Sequence, residues 1–225
     1  MVDVERSPAQ RPSAWARARN LAGRAVRLEL RIYESLWRWA ARRPKVAEGA
    51  IGFRYHRPVL TVLIIFMVLS TVEIPIVDAI VHRWPVVRVT FLIIGIWGVT
   101  WMIGLLCAYL TRPHTVGPEG IRIREGLEID VLVPWRDFAS IRRHGTVFDP
   151  NDPERKPGKV FDEEGERICA IRIGSETNLE IAFEAPTEIT LPGLSPKGGS
   201  HTITRLRFWS DDPAGLLEAV RRRLS

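Results

Sequence analysis

Residues 59–111 read VLTVLIIFMVLSTVEIPIVDAIVHRWPVVRVTFLIIGIWGVTWMIGLLCAYLT, two long apolar runs parted only by His82-Arg83-Trp84-Pro85. As helix, the first run (59–81) would be about 34 Å long at ~1.5 Å per residue, enough for a hydrocarbon core of about 30 Å. Its 15 Leu, Ile, Phe and Val residues favour insertion by on the order of 5 to 9 kcal/mol, against up to roughly 3 kcal/mol each for Glu73 and Asp78. The apolar side wins. The second run, 86–110, carries no acidic residue at all. Together they predict a transmembrane helical hairpin over 59–111, with spans 59–81 and 86–110.

Charge sets its orientation. Arg42, Arg43, Lys45, Arg54 and Arg57 precede the first span, and Arg112, Arg122 and Arg124 follow the second, while the connection offers only Arg83 and nearby Arg88. Cytoplasmic flanks carry the excess of Lys and Arg, so both termini are expected on the cytoplasmic side of the membrane. So short a connection makes the spans antiparallel, placing Glu73 level with Gly95 and Asp78 level with Thr90, close to Arg88. Gly95, Gly98, Gly104 and Ala108 are small enough to let helices approach, as membrane helix contacts need. Glu73 is either a functional protonatable group or a tolerated one that bonds Thr100 or a carbonyl loosened by Pro75. Asp78 is expected to form a boundary ion pair with Arg83 or Arg88.

The amino-terminal arm is basic. Residues 1–58 carry a net charge of +8, the hairpin none, and residues 112–225 a net −2. Residues 1–13 read as a polar, disordered tail. Over 14–42, Leu21, Ala25, Leu28, Ile32, Leu36 and Trp39 recur at helical spacing, with Val26, Tyr33, Trp37 and Ala40 widening the stripe. Arg24, Arg27, Arg31, Glu34 and Arg38 take the opposite face. Such a helix lies in the headgroup layer, with Trp37, Trp39, Arg42 and Arg43 at the interface, or packs its apolar face on protein; both readings stay open. Trp84 is the matching interface residue at the hairpin connection. Anionic inner-leaflet headgroups are the expected lipid partner, and nucleic acid is not expected, because the aromatics sit on the apolar face. Pro44, Gly49, Gly52 and Pro58 mark residues 43–58 as a linker.

After Arg112-Pro113 the hydrophobic period changes to two, and residues 112–225 read as one soluble domain. Residues 120–124 and 127–133 alternate around a Glu125-Gly126 turn, and further strands are expected at 139–143, 167–173, 178–184, 188–191 and 202–209. Residues 146–166 and 192–200 read as loops. A closing helix is expected after a Ser210 or Asp211 cap and Pro213, with Leu216, Leu217, Val220 and Leu224 as its stripe and Arg221, Arg222 and Arg223 complementing its dipole.

Val116-Gly-Pro-Glu-Gly-Ile-Arg-Ile-Arg, followed by Val133-Pro-Trp-Arg-Asp-Phe-Ala-Ser-Ile-Arg, resembles the opening of bacterial pleckstrin-homology-like domains. The succession of arm, hairpin and such a domain is similar to integral membrane proteins of actinobacteria, and Arg outnumbering Lys 28 to 4 agrees with a high-GC genome. The resemblance implies an α+β domain: one seven-stranded, strongly bent sheet capped by a C-terminal helix. In one respect the chain departs from phosphoinositide-binding relatives, which place cations around the first hairpin loop. Here that loop is Arg124-Glu-Gly-Leu-Glu with Asp130 beyond, and its carboxylates would repel a phosphorylated headgroup.

Catalytic patterns do not emerge. His56, His82, His114, His144 and His201 are scattered without metal-ligand spacing, and no phosphate loop or nucleophile elbow is present. Asp162, Glu163, Glu164 and Glu166 form either a cation site or a solvated charge run. Cys107 and Cys169 lie in unlike segments and form no disulfide framework. No cofactor and no enzymatic activity are expected. The expected role is a membrane-anchored interaction module for a protein partner or a second copy. Its alternatives are an oligomeric transporter or channel subunit using Glu73, and anionic-lipid or envelope sensing through the arginine-rich helix.

Overall fold

The computed structural model describes residues 14–149, 158–192 and 198–224, without the side chains of 14–18, 20, 21 and 24. The polar tail, Arg24 and much of both expected loops lie outside that description. Helix α1 spans Ala14–Ala40. It closes on a backbone motif in which Arg43 N–H reaches the Arg38 carbonyl at 2.9 Å and Arg42 N–H the Trp39 carbonyl at 3.0 Å. This places Arg42 in the left-handed region at φ 53°, a position that glycine usually fills.

Helices α2 (Arg57–Val81) and α3 (Pro85–Thr111) form the hairpin, and each is long and apolar enough to cross a membrane. Pro58 and Pro85 suit their first turns, where an amide hydrogen would have no partner within the helix. Pro75 lies inside α2 without ending it. No residue of α2 is buried, and those of α3 that are (Gly104, Cys107, Ala108 and Thr111) all fall in its last two turns.

The stretch expected as a linker contains strand β1 (Ile51–Phe53). It joins β2 (His114–Gly117), β3 (Gly120–Glu125) and β4 (Ile129–Pro134) in a four-stranded antiparallel sheet of that order. Gly126, at φ 51°, makes the tight β3–β4 turn. A second sheet has the order β5-β8-β9-β7-β6, from Phe138–Val147, Glu176–Leu191, Gly199–Phe208, Glu166–Ile171 and Gly158–Glu163, with β7 and β9 parallel. Helix α4 (Pro213–Leu224) follows.

This differs from the seven strands in one sheet implied by the resemblance. The described residues form two sheets, of four and five strands. Strands β1 and β2 have three and four residues, too short to show alternation, and all four of β2 are buried. Strand β6 is short and charged and lies in the expected 146–166 loop. The expected strands 178–184 and 188–191 are one strand, β8, whose register shift between Ala182 and Thr187 accommodates Pro186; a bulge removes the need for an amide hydrogen there.

The main core lies between the sheets. Ile121, Ile123, Ile129, Val131 and Val133 face Ile171, Leu179, Ile181, Leu206 and Phe208, and α4 closes the space with Leu216, Ala219 and Val220. A smaller cluster joins α1 to α3 and the β3–β4 turn through Ile32, Ala108 and Leu127.

Candidate functional site: the seam between hairpin and domain

Both legs of the hairpin are fastened to the domain. On the first, the Arg57 amide at the start of α2 donates to both Asp211 carboxylate oxygens at 3.3 Å. Asp211 also accepts from Trp209 Nε1 at 3.1 Å, and its own amide donates to the Arg54 carbonyl at 2.9 Å. Asp211 was expected to cap α4. Instead Asp212 does so, accepting the Gly215 amide at 2.9 Å. Ser210, the other expected cap, is fully buried, and its hydroxyl has no partner among the described residues.

On the second leg, the Thr111 carbonyl accepts the Lys45 amide at 2.7 Å, and Tyr109 donates its hydroxyl to Glu125 Oε1 at 3.0 Å. Burial pushes the Glu125 carboxyl up to about 7. Beside it the fully buried Tyr55 accepts the Gly126 amide and stacks on His114, with ring centroids 4.5 Å apart. His114 Nδ1 accepts the Arg124 backbone N–H at 3.0 Å, so the ring proton sits on Nε2 and is donated to the Trp209 carbonyl at 2.8 Å. Burial depresses this imidazole to about 4, keeping it neutral.

Arginines occupy the third side. Arg31 and Arg112 both donate to the Leu127 carbonyl, at 2.6 and 2.7 Å, and Arg124 donates to the Lys45 and Pro113 carbonyls. Asp130 lies among Arg112, Arg122 and Arg124 at 3.8, 3.7 and 3.3 Å. Of the carboxylates expected to repel an anion at this turn, Glu125 therefore points inward and Asp130 is surrounded by guanidinium groups.

Helix α1 presents two apolar stripes. Leu28, Ile32 and Leu36 pack on Trp101, Leu105 and Ala108, and Trp97 Nε1 donates to Glu29 at 3.1 Å. Val26, Leu30, Tyr33 and Trp37 recur at helical spacing on another side and are exposed, Trp37 to 73%. The protein-packed alternative thus describes one face of α1, while the second apolar stripe remains uncovered. Arg27 and Arg43 are exposed, Arg38 bonds Glu34 at 2.8 Å, and Trp39 and Trp84 are more than half exposed.

The small residues of α3 divide their work. Gly95 meets Ile74 of α2, whereas Gly104 receives Ile32 of α1, and Ala108 lies in the same cluster. At Gly98 a side chain would meet nothing from another element within 4 Å among the described residues. Arg88 grips Asp78 with two bonds, at 2.5 and 2.9 Å. Glu73 is exposed and has no partner among the described residues; Thr100, its expected acceptor or donor, bonds the Ile96 carbonyl instead.

A second charged cluster lies on the five-stranded sheet. Glu180, buried, accepts Arg142, Arg205 and Arg207. Burial alone would raise its carboxyl, but the hydrogen bonds from Arg207 and Arg142 outweigh it and hold it below the ordinary range. Two of the acidic run, Glu163 and Glu166, pair with Arg207 and Arg205. Among the described residues, no three His, Cys, Asp or Glu side chains converge on a possible metal position.

Helical and strand periodicity cannot reveal the seam residues, since Tyr55, Tyr109, His114, Glu125 and Asp211 come from separate elements. The one linear hint was polarity in places where the pattern called for apolar residues, as at Tyr109 and His114. Compared with known proteins, the chain matches no family model, no curated protein and no solved structure.

Proposed function

We propose that this chain is an integral membrane protein of the bacterial inner membrane that holds a pleckstrin-homology-like domain against the cytoplasmic face, where it docks a protein partner or a second copy. The fastening of both hairpin legs to one domain carries the reading: Asp211 holds α2, while Lys45 and Glu125 hold α3. The basic flanks set the orientation. Two sheets that share one core with a C-terminal helix support the domain assignment. Strands β5 and β6 end the five-stranded sheet, and an added strand on such an edge gains main-chain hydrogen bonds. The exposed stripe of α1 would rest in the inner interface, facing lipid.

Carbonate extraction of native membranes followed by photocrosslinking from Val147 on β5 tests this. The chain should stay with the membrane, and a discrete crosslinked protein should appear. A chain released by carbonate, or one giving no adduct from β5 or from Lys159 on β6, would end the reading.

One observation favours a second reading, an oligomeric transporter or channel subunit. Glu73 has no partner among the described residues, and a carboxyl at bilayer depth needs one. Glu73→Gln should then abolish any ion- or proton-linked phenotype; a phenotype that survives the change rejects this reading.

A further inference from the structure

A groove of about 400 Å³ separates the α1–β1 connection from the β2–β3 turn, lined by Arg38, Lys45, Arg122 and Arg124 against the carboxylates of Glu48 and Glu119. It adjoins a crevice of about 90 Å³ beneath α1, where Arg31, Arg38, Lys45 and Arg112 face Glu34, Glu128 and Asp130. Arg38 and Lys45 line both spaces.

The cations are not equivalent. Arg31, Arg112 and Arg124 are engaged with main-chain carbonyls and form the fixed wall. Arg38 is tied to Glu34, and among the described residues Arg122 has only the distant carboxylates of Asp130 and Glu119, at 3.7 and 3.9 Å. Lys45 is half-buried, and among the described residues no carboxylate or carbonyl accepts from its ammonium. Burial first, and then Arg112, push that amine below its ordinary range. In the adjoining crevice, Arg112 Nε is buried with no acceptor among the described residues. A crowded set of cations with unused donors lacks an anion.

We infer that this groove binds a phosphate-bearing anion, with the Lys45 ammonium and the Arg38 and Arg122 guanidinium groups at its phosphoryl oxygens. The fit is chemical. Phosphoryl oxygens accept several charged donors at once. Four cations and two carboxylates line the groove, and although Glu34 and Asp130 draw on Arg38, Arg122 and Arg124, the Lys45 ammonium keeps its donors for a ligand. The location admits two sources. If Pro85 marks the outer boundary, about 30 Å of helix brings α3 to Gly104, so Lys45, bonded to Thr111, stands about 10 Å beyond the inner boundary at ~1.5 Å per residue. An anionic phospholipid headgroup can meet the groove from the membrane side, and a soluble phosphate monoester from the cytoplasm. Only the lipid source rests on the membrane reading; the groove itself does not depend on which protein docks on the domain.

The test uses the full-length chain in neutral detergent and follows thermal unfolding by tryptophan fluorescence. The titrants are dihexanoyl phosphatidylglycerol, dihexanoyl phosphatidylcholine, glycerol 1-phosphate and sodium chloride at matched ionic strength. Saturable stabilisation is expected with phosphatidylglycerol or glycerol 1-phosphate, and not with the other two. A response to the lipid alone assigns a headgroup; a response to the soluble ester as well assigns a site open to the cytoplasm. Lys45→Gln and Arg38→Gln should each weaken the response at least tenfold, and Arg136→Gln should not. Lys45 holds the fold through its backbone, so its side chain can be changed without removing those bonds. Failure of both anions to stabilise, equal stabilisation by phosphatidylcholine, or undiminished binding by Lys45→Gln would overturn the inference.

Discussion

The carboxylate of Asp211 accepts the backbone amide of Arg57, 154 residues earlier, at 3.3 Å to each oxygen. An N-terminal cap normally comes from the residue just before its helix. For α2 that residue is His56, which supplies no side-chain bond. The cap comes instead from the far end of the domain. Asp211→Ala should cost about 1 kcal/mol, the usual loss when a helix cap is removed, with Asp211→Asn closer to the parent chain. Thermal unfolding of the detergent-solubilised chain measures both.

Arg42 in its left-handed conformation predicts the opposite sign. Glycine there carries no Cβ penalty, so Arg42→Gly should stabilise the chain by up to about 1 kcal/mol. Arg42→Val, a branched residue at φ 53°, should destabilise it in the same assay.

The three glycines of α3 should respond in order of the space around them. At Gly104 an added Cβ would run into Ile32, at Gly95 it would come within 2.9 Å of Ile74, and at Gly98 it would meet nothing within 4 Å. Gly104→Ala should therefore destabilise the chain by about 1–3 kcal/mol, as overpacking does, while Gly98→Ala is near neutral. Ile32→Ala in the Gly104→Ala background should recover part of the loss, a coupling read by a double-mutant cycle.

Glu125 and His114 give stability two opposed dependences on pH. Folding raises the Glu125 carboxyl from 4.5 to about 7, so its contribution is full below 4.5 and is lost as pH rises through 7. Folding lowers the His114 imidazole from 6.5 to about 4, so its contribution is full above 6.5 and is lost as pH falls through 4. Between 4.5 and 6.5 the two compete. Glu125→Gln should remove the decline between pH 4.5 and 7 and leave the acid-side loss, to which His114 and the depressed carboxyl of Glu180 both contribute. Urea or thermal melts at half-unit pH steps would show this, and a profile identical to the parent would refute it.

Apolar periodicity made the four helices legible, because long runs of one pattern have few competing explanations. The hairpin helices, 57–81 and 85–111, begin and end within two residues of the expected spans. Strands β1, β2 and β6 were hidden for a different reason. With only three to six residues each, and with either uniform burial or little burial at all, they lack the alternation that marks a half-buried strand. The groove was hidden more deeply. Lys45 lies 77 and 79 positions before Arg122 and Arg124, and the pairing of β1 with β2, together with the bonds of Lys45 to Thr111 and Arg124, brings them to one wall.

The double fastening of the hairpin has a mechanical consequence. A domain tied to one helix can swivel about that joint, but one tied to both shares every inclination of the pair. Helices of 25 and 27 residues extend about 37 and 40 Å, so a hydrocarbon layer of about 30 Å would take their outer part and leave the last two turns of α3, buried against α1, with the domain. On the membrane reading proposed above, any inclination of the hairpin in the bilayer would turn the sheets, the groove and the strand edges of the domain with it.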